Sequence, residues 1–369
     1  MQDLKKMYRT KTEGDFPETF ELLGRSYSKQ EDLRYGTNPH QPAAFYRPDS
    51  GNLVLGAYKI LKTGKSGLSQ TNVEDMHHAV GILKYIQRPA CAVMKHCNPS
   101  GVAQEIDGHD LKAVYERARD ADAQAAFGSV VVFNTEVDGD TAAAIMETIV
   151  EGVAAPGFSE EALATLNDFS RFKRNKEIRI IQLSDFSGLP KYIDDGTDVR
   201  EMKVFDDGSI VLAVPYLSRL KATEDLVPAY NEHKKHGAIE IARKPDAREL
   251  DDLLFAWYVN IHVRSNGVVI VKNGQTLAVG TGEQDRVGAV EQALHKAQHK
   301  YSGAETLDGA VMSSDGFFPF RDAVEAATGL GVTAIVQPGG SMNDYDAIAA
   351  CNESDTAMVF SLERCFSHH

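Results

Sequence analysis

Lys95 and His96 stand side by side at the end of the apolar run Ala92-Val93-Met94, and the turn signal Asn98-Pro99-Ser100-Gly101 follows one residue later. Two cations taken out of water together repel, so one gives up its proton, and histidine does so more readily. The pair offers an ammonium beside a neutral imidazole, the parts of an acid/base site. In a regular strand neighbouring side chains point to opposite faces. Both reach one site only where the strand breaks, and Asn98-Pro99 is the expected break. The same residues also read as one core side chain and one solvated lysine.

Three other stretches carry residue types suited to ligands. Leu33-Arg34-Tyr35-Gly36-Thr37-Asn38-Pro39-His40-Gln41-Pro42 is too rich in turn formers for a helix or strand interior. A rigid loop bearing Arg34 and Tyr35 suits an anion such as phosphate, or is a surface turn with Arg34 in a salt bridge. Gly280-Thr281-Gly282-Glu283-Gln284-Asp285-Arg286 is a glycine loop leading into a helix with Asp285 as N-cap, a place where backbone N–H groups receive anions. It lacks the lysine and serine or threonine of a phosphate-binding loop, and GxGxxG is missing, which excludes nucleoside triphosphate and dinucleotide readings. In Ser313-Ser314-Asp315-Gly316-Phe317-Phe318-Pro319-Phe320-Arg321-Asp322 three phenylalanines surround a proline. They wall a flat aromatic ligand or anchor a core, the commoner fate of phenylalanine.

The elements that must position these residues alternate. Helices are expected at Val73 to Ile86 with Asn72 as N-cap, Leu111 to Asp120, Gly139 to Val150, Leu250 to Val259 and from Asp285 to Tyr301. Strands are expected at Ala90 to Met94, Val130 to Phe133, Ile178 to Leu183, Ser209 to Val214, Val268 to Val271, Thr276 to Val279, Val332 to Val336 and Ala357 to Phe360. Asn273-Gly274 is a tight hairpin turn, and Glu151 to Gly157 reads as a loop. Gly128, at the mouth of a strand, allows close approach of a ligand or marks a bulge. Arg171, Lys173, Arg174, Lys176 and Arg179 read as a solvated face. Such alternation indicates an α/β layer structure with mainly parallel pairing.

The chain has 369 residues, 43% hydrophobic and 25% charged, enough for two domains or two lobes. Its net charge of -14 disfavours nonspecific nucleic-acid binding, which needs dense positive charge. Met1 to Tyr8 contain no apolar leader core, and no apolar stretch is long enough to span a bilayer. Cys91, Cys97, Cys351 and Cys365 form no CxxC pair. A cytoplasmic protein with no nucleic-acid or membrane partner is expected.

In order along the chain stand Leu33-Arg34-Tyr35-Gly36-x-Asn38-Pro39-His40-Gln41, Lys95-His96-x-x-Pro99-x-Gly101, Phe127-Gly128, Ala155-Pro156-Gly157, Ser265-Asn266, Gly282-x-Gln284-x-Arg286 and Ser313-Ser314-Asp315-x-Phe317-Phe318-Pro319-Phe320-Arg321-Asp322. This ordered set resembles 5-aminoimidazole-4-carboxamide ribonucleotide (AICAR) transformylase, the C-terminal part of a bifunctional purine-biosynthesis protein that also carries IMP cyclohydrolase. The resemblance implies two related cytidine-deaminase-like α/β lobes, three-layered with mixed sheets. They would occupy 31–195 and 196–369 behind an irregular arm over 1–30, in a homodimer with active sites across the interface. The zinc chemistry of deaminases needs H-x-E and P-C-x-x-C. Neither occurs, so no zinc is expected.

The implied reaction is formyl transfer from 10-formyltetrahydrofolate to the 5-amino group of AICAR, giving FAICAR on the route to IMP. By the resemblance, Lys95, His96 and Asn266 carry the chemistry. Arg34, Tyr35, Gly128, Glu151, Arg286, Phe317 and Arg364 surround AICAR, with Arg34 and Arg364 on the phosphate and Arg34-Tyr35 supplied by the partner subunit. Val287, Asp322, Ser341 and Met342 contact the folate, and Asp315 neighbours a potassium ion. Glu151 stands where well-known members have aspartate, and Ala323 where they have asparagine. Only residues 1–32 precede the Arg34 block, so a stand-alone transformylase without cyclohydrolase activity is expected, ring closure being left to another protein. Two alternatives are formylation with formate plus ATP, and a catalytically silent regulator that binds purine intermediates.

Overall fold

The structure is a computed structural model that describes residues 9–64 and 66–368. The reading of Met1 to Tyr8 therefore lies outside the described residues, as does His369. The chain opens on an antiparallel sheet of β1 (Thr19–Leu22), β2 (Arg25–Asp32) and β3 (Ala44–Pro48), so the expected irregular arm is in part a sheet. Aromatic pairing across the strands holds it: Phe20 stacks on Tyr27 at 5.2 Å between centroids and meets Tyr46 edge-on at 4.7 Å.

The next stretch runs β4 (Lys59–Lys62), α1 (Gln70–Leu83), β5 (Ala90–Lys95), β6 (Asn98–Gln104), α2 (Leu111–Asp120), β7 (Ser129–Phe133), α3 (Gly139–Glu147), β8 (Val150–Ala155), α4 (Glu160–Leu166) and β9 (Arg179–Gln182). Two hairpins, β10 (Glu201–Val204) with β11 (Ile210–Ala213) and β13 (Tyr230–His233) with β14 (Gly237–Glu240), flank β12 (Val227–Pro228). Then follow α5 (Ala247–Asn260), β15 (Val268–Lys272), β16 (Gln275–Gly280), α6 (Arg286–His299), β17 (Ala310–Ser314), α7 (Asp322–Thr328), β18 (Val332–Gln337), α8 (Asp344–Glu353) and β19 (Ala357–Phe360).

Twelve strands form one mixed sheet in the order β12-β19-β18-β17-β15-β16-β6-β5-β7-β8-β9-β4. Read outward from the β16–β6 seam, both halves have the same plan, so the chain folds as two related α/β repeats. Among the strands of the described residues, only β7–β8–β9 and β17–β18–β19 pair in parallel, which corrects the expectation of mainly parallel pairing. The hairpins β5–β6 and β15–β16 make the middle antiparallel, because a two-residue connection permits nothing else. Helices α1 and α5 cover one face and share one core, while α2–α4 and α6–α8 cover the other in two separate cores. Sheet and both helix faces make three layers.

Three local expectations change. Ser69, not Asn72, caps α1: its hydroxyl accepts from the Asn72 amide at 3.3 Å, and the Asn72 side chain accepts from Ser69 N–H at 3.1 Å. Helix α3 ends at Glu147 because Asn175, from across the fold, donates to the carbonyls of Met146 and Thr148 and accepts from Val150 N–H. The expected loop from Glu151 is strand β8, buried but for Glu151 itself, since parallel neighbours on both sides pair its backbone.

At the seam Gln275 lies opposite Ala103, and the buried Thr276 hydroxyl accepts from Val102 N–H at 2.9 Å. Replacing Thr276 by valine leaves that buried N–H without a partner. Urea denaturation of Thr276→Val should show a loss of about 1–3 kcal/mol.

Candidate active site

Strands β5 and β6 are joined by His96 and Cys97 alone, with Lys95 opposite Asn98. Both turn residues have left-handed backbone, φ 53° at His96 and 64° at Cys97. Two-residue turns of this type require positive φ at both positions, so the break falls at His96-Cys97, and Asn98-Pro99 begin β6 instead. Such backbone costs a residue like cysteine about 1–3 kcal/mol, and histidine tolerates it better. Neighbours hold the turn in place. Asp75 Oδ1 accepts from Cys97 N–H at 2.7 Å, and Asn98 Nδ2 donates to His96 O at 3.1 Å. Asn98 Oδ1 in turn accepts from Arg264 N–H at 2.9 Å and from the Thr281 hydroxyl at 2.8 Å. Lys95 Nζ donates to Gly128 O at 2.6 Å and Phe127 O at 3.2 Å. The ammonium is thus anchored at the mouth of β7, on the half-exposed wall of the cleft. Gly128 has φ 70°, and a Cβ there would lie 3.1 Å from Nζ.

Lys95 and His96 line one cleft of about 510 Å³ together with Tyr35, Asp75, Gly128 and Glu151. Arg34 and Arg179, each 3% exposed, lie behind its wall. Arg34 Nη2 donates to the Tyr35 hydroxyl at 2.9 Å, and its guanidinium sits 4.4 Å from the ring centroid. Arg179 donates through Nε to Gly67 O at 2.7 Å and lies 3.7 Å from a Glu151 carboxylate oxygen. Burial, and then the charge of Arg34, pull Arg179 down to about 10, while Glu151 and Tyr35 oppose them. Arg179 departs from the solvated face expected of its basic run: it begins β9, and the alternation into Ile180-Ile181 is the signal that separates it. Asp75 is the other residue the sequence reading missed. Burial pushes its carboxyl up to about 7, Cys97 N–H and Lys95 pull it back, and Glu151 and Glu74 push it up.

A second cleft, of about 560 Å³, holds Asn266, Arg286, Phe317 and Arg364 beside Gly339 and Gly340. Asn266 Nδ2 donates to Glu283 O at 2.8 Å. Arg286, the first residue of α6, is buried and paired with Asp315. The phenylalanine cluster divides: Phe318 is fully buried, whereas Phe317 is 47% exposed in the cleft. Arg364 rests 4.7 Å from the Phe366 ring centroid. None of Val287, Asp322, Ser341 and Met342 lines this cleft, although Val287 follows Arg286 and Ser341-Met342 continue the Gly339-Gly340 wall. Ala323 is fully buried. Lys95 and His96 therefore share one cleft and Asn266 belongs to another, the segment from Arg264 to Asn266 standing between them.

Asp315 does not offer a free carboxylate to potassium, since Oδ1 pairs with Arg286 and Oδ2 accepts from Gly267 N–H at 2.8 Å. The nearby Asn260 Oδ1, buried and without a hydrogen-bond partner, is one oxygen where a cation needs several. Among the described residues no group of three or more His, Cys, Asp or Glu side chains is placed to hold a metal ion. Nor is any helix among them long and apolar enough to cross a membrane.

Fold and clefts together define a two-repeat, three-layer α/β protein with basic residues at strand mouths. The chain belongs to the AICARFT/IMPCHase bienzyme family, whose model matches residues 3–296. It is similar to the bifunctional purine biosynthesis protein PurH of Acetivibrio thermocellus, 40% identical over 358 residues, 96% of this chain and 62% of that protein. PurH of Oceanobacillus iheyensis is 36% identical over 362 residues, 98% of this chain and 63% of the relative. The chain thus spans a little under two thirds of the length of these curated relatives.

The raised Asp75 carboxyl makes the stability of the fold depend on pH. Above the unfolded value of 3.8 the folded chain keeps a proton that the unfolded chain releases, so Asp75's contribution to stability is full at low pH. It is lost as pH rises through about 7. Comparing urea unfolding of Asp75→Asn with the unmodified protein at acid and alkaline pH should show the gap between them change by roughly 4 kcal/mol, the substitution being costlier at acid pH. An equal gap at both would show an ordinary carboxyl.

Proposed function

We propose that the chain transfers the formyl group of 10-formyltetrahydrofolate to the 5-amino group of AICAR, giving FAICAR in purine biosynthesis. The observation that carries this reading is the Lys95-His96 turn, an anchored ammonium and an imidazole on one cleft, in a chain of this family. The AICAR amine is a poor nucleophile, its lone pair being delocalised into the imidazole carboxamide. Its nitrogen attacks the formyl carbon, building an oxyanion and a cationic amine. His96 takes the amine proton. Two of the three Lys95 donors go to Phe127 and Gly128, which leaves one N–H for the oxyanion. A donor already fixed where charge develops stabilises it without reorganisation. Collapse breaks the bond to the folate nitrogen, which receives the proton from the His96 imidazolium.

One N–H of the Asn266 amide goes to Glu283, and its Oδ1 accepts from the substrate amine. The Tyr35 hydroxyl accepts from Arg34, and Arg34 and Arg179 supply positive charge for the phosphate behind it. Arg286 and Arg364 face the ribonucleotide from the other cleft, and exposed Phe317 stacks on its ring. Val287, Asp322, Ser341 and Met342 border the folate, and Glu151 the ribose side. Alignment of two bulky reactants supplies up to about 7–11 kcal/mol.

The division of the site between two clefts supports completion by a second copy of the chain. Arg34 and Tyr35 then belong to the copy that brings Lys95, and the Asn266 cleft comes from its partner.

Incubating AICAR with each donor in turn should give product with 10-formyltetrahydrofolate and none with formate plus ATP; the reverse would sink the folate assignment. His96→Ala should lower kcat by about 100- to 10,000-fold, the usual worth of general acid–base catalysis, with AICAR still bound in calorimetry. Mixing inactive Lys95→Ala with inactive Asn266→Ala should restore turnover, because a mixed dimer holds one intact site. No restoration would mean that each site lies within one chain.

A further inference from the structure

The two repeats build the same contacts around two hairpins of different character. In the second, the β15–β16 turn is Asn273-Gly274, with φ 52° and 68°, residue types that take left-handed backbone at little cost. Asp252, the sixth residue of α5, accepts from both turn amides, at 2.8 Å from Asn273 and 2.7 Å from Gly274. Lys272, just before the turn, donates to Asp308 O at 2.8 Å, ahead of Gly309 (φ 78°) at the mouth of β17. In the first repeat Asp75 is likewise the sixth residue of α1 and accepts from Cys97 N–H at 2.7 Å. Lys95, just before that turn, donates to Phe127 O, ahead of Gly128 (φ 70°) at the mouth of β7. The scaffold is one and the same, but the turn is His96-Cys97.

We infer that Asp75 is a positioning residue whose carboxylate holds Cys97 in left-handed backbone, keeping the His96 imidazole and the Lys95 ammonium on one cleft. Its kinetic consequences rest on the formyl-transfer reading above. Histidine is among the side chains enriched in left-handed backbone, and cysteine is not, so Cys97 is where the turn needs help. Asp75 bonds that residue's amide. The carboxylate is 4% exposed, and a hydrogen bond shielded from water is stronger than one in solvent. Glu74, the neighbour of Asp75 on α1, takes the Cys97 thiol at 3.7 Å and holds it against the helix. The charged groups that act on the Asp75 carboxyl include Lys95 of β5, Glu151 of β8 and Glu74 of α1, so the catalytic ammonium faces it. The second repeat shows the arrangement without the chemistry: Lys272 pairs with Glu305 at 3.1 Å, and Gly274 needs no support.

The test compares D75A, D75N, the double variant D75A/C97G and, in the second repeat, D252A. D75A should lose about 100-fold in kcat, the effect of a catalytic group displaced by about 1 Å, with KM for AICAR nearly unchanged. D75N should recover most of the rate, because its carboxamide oxygen still accepts from Cys97 N–H. D75A/C97G should recover it too, since glycine takes the turn without a clamp. D252A should lower the melting temperature and leave kcat as it was. Hydrogen exchange at the Cys97 amide should be slow in the unmodified protein and D75N, and fast in D75A. Full kcat in D75A, or a folded D75A/C97G no faster than D75A, would overturn the inference. So would a slow D75N whose Cys97 amide stays protected, which would assign Asp75 a charge role instead. If D75A does not fold, D75N and D75A/C97G decide by the same criteria. If the unmodified chain fails to formylate AICAR, the proposed function falls, and the Cys97 exchange rates alone uphold or overturn the clamp.

Discussion

The two residues that join β5 to β6 both take left-handed backbone, and much of the first repeat bears on that demand at His96 and Cys97. A helix carboxylate takes the amide of the second turn residue, and a strand-mouth carbonyl pair takes the ammonium that precedes the turn. Asn98 closes the far side by receiving Arg264 N–H and the Thr281 hydroxyl, which ties the turn to the second repeat. Loosening any of these contacts would release the side chains that share the cleft. A longer loop would have removed the strain, and with it the fixed relation between the imidazole and the ammonium.

The duplication separates scaffold from chemistry. Both hairpins carry a lysine before the turn, a glycine-bearing strand mouth below it and an aspartate on the preceding helix. In the second repeat Lys272 is paired with Glu305 and the turn is Asn-Gly, with neither an unpaired ammonium nor an imidazole at the turn. In the first, the lysine's hydrogen bonds go to carbonyls, and the turn carries a histidine. One architecture serves once as a support and once as an active surface.

What was legible from the sequence had local causes. Asn273-Gly274 announces its turn by residue type, and Asp285 its helix start, with its side chain accepting from Gly288 N–H at 2.7 Å. His96-Cys97 makes the same turn without either signal residue, because contacts from α1 and the 264–281 segment impose it; the residue types point instead to Asn98-Pro99, two residues on. Strand β8 was hidden by Glu151 and Gly152, poor strand formers that two parallel neighbours override. Asp75 looked like an ordinary polar position of an amphipathic helix, and Arg179 like one more cation in a basic run. Each gains its role from residues distant in the chain, Cys97 for one and Glu151 with Arg34 for the other. The pairing of Lys95 with His96 was readable, but their separation from Asn266 was not, since it depends on where the 264–266 segment passes.

The two guanidiniums behind the Tyr35 wall have a consequence for an acidic protein. At long range a chain of net charge -14 repels an anion, and dissolved salt screens that repulsion over distances beyond about 10 Å. Arg34 and Arg179 are buried, where mobile ions scarcely reach them. For any anion drawn to that pair, added electrolyte quickens the approach and hardly weakens the grip.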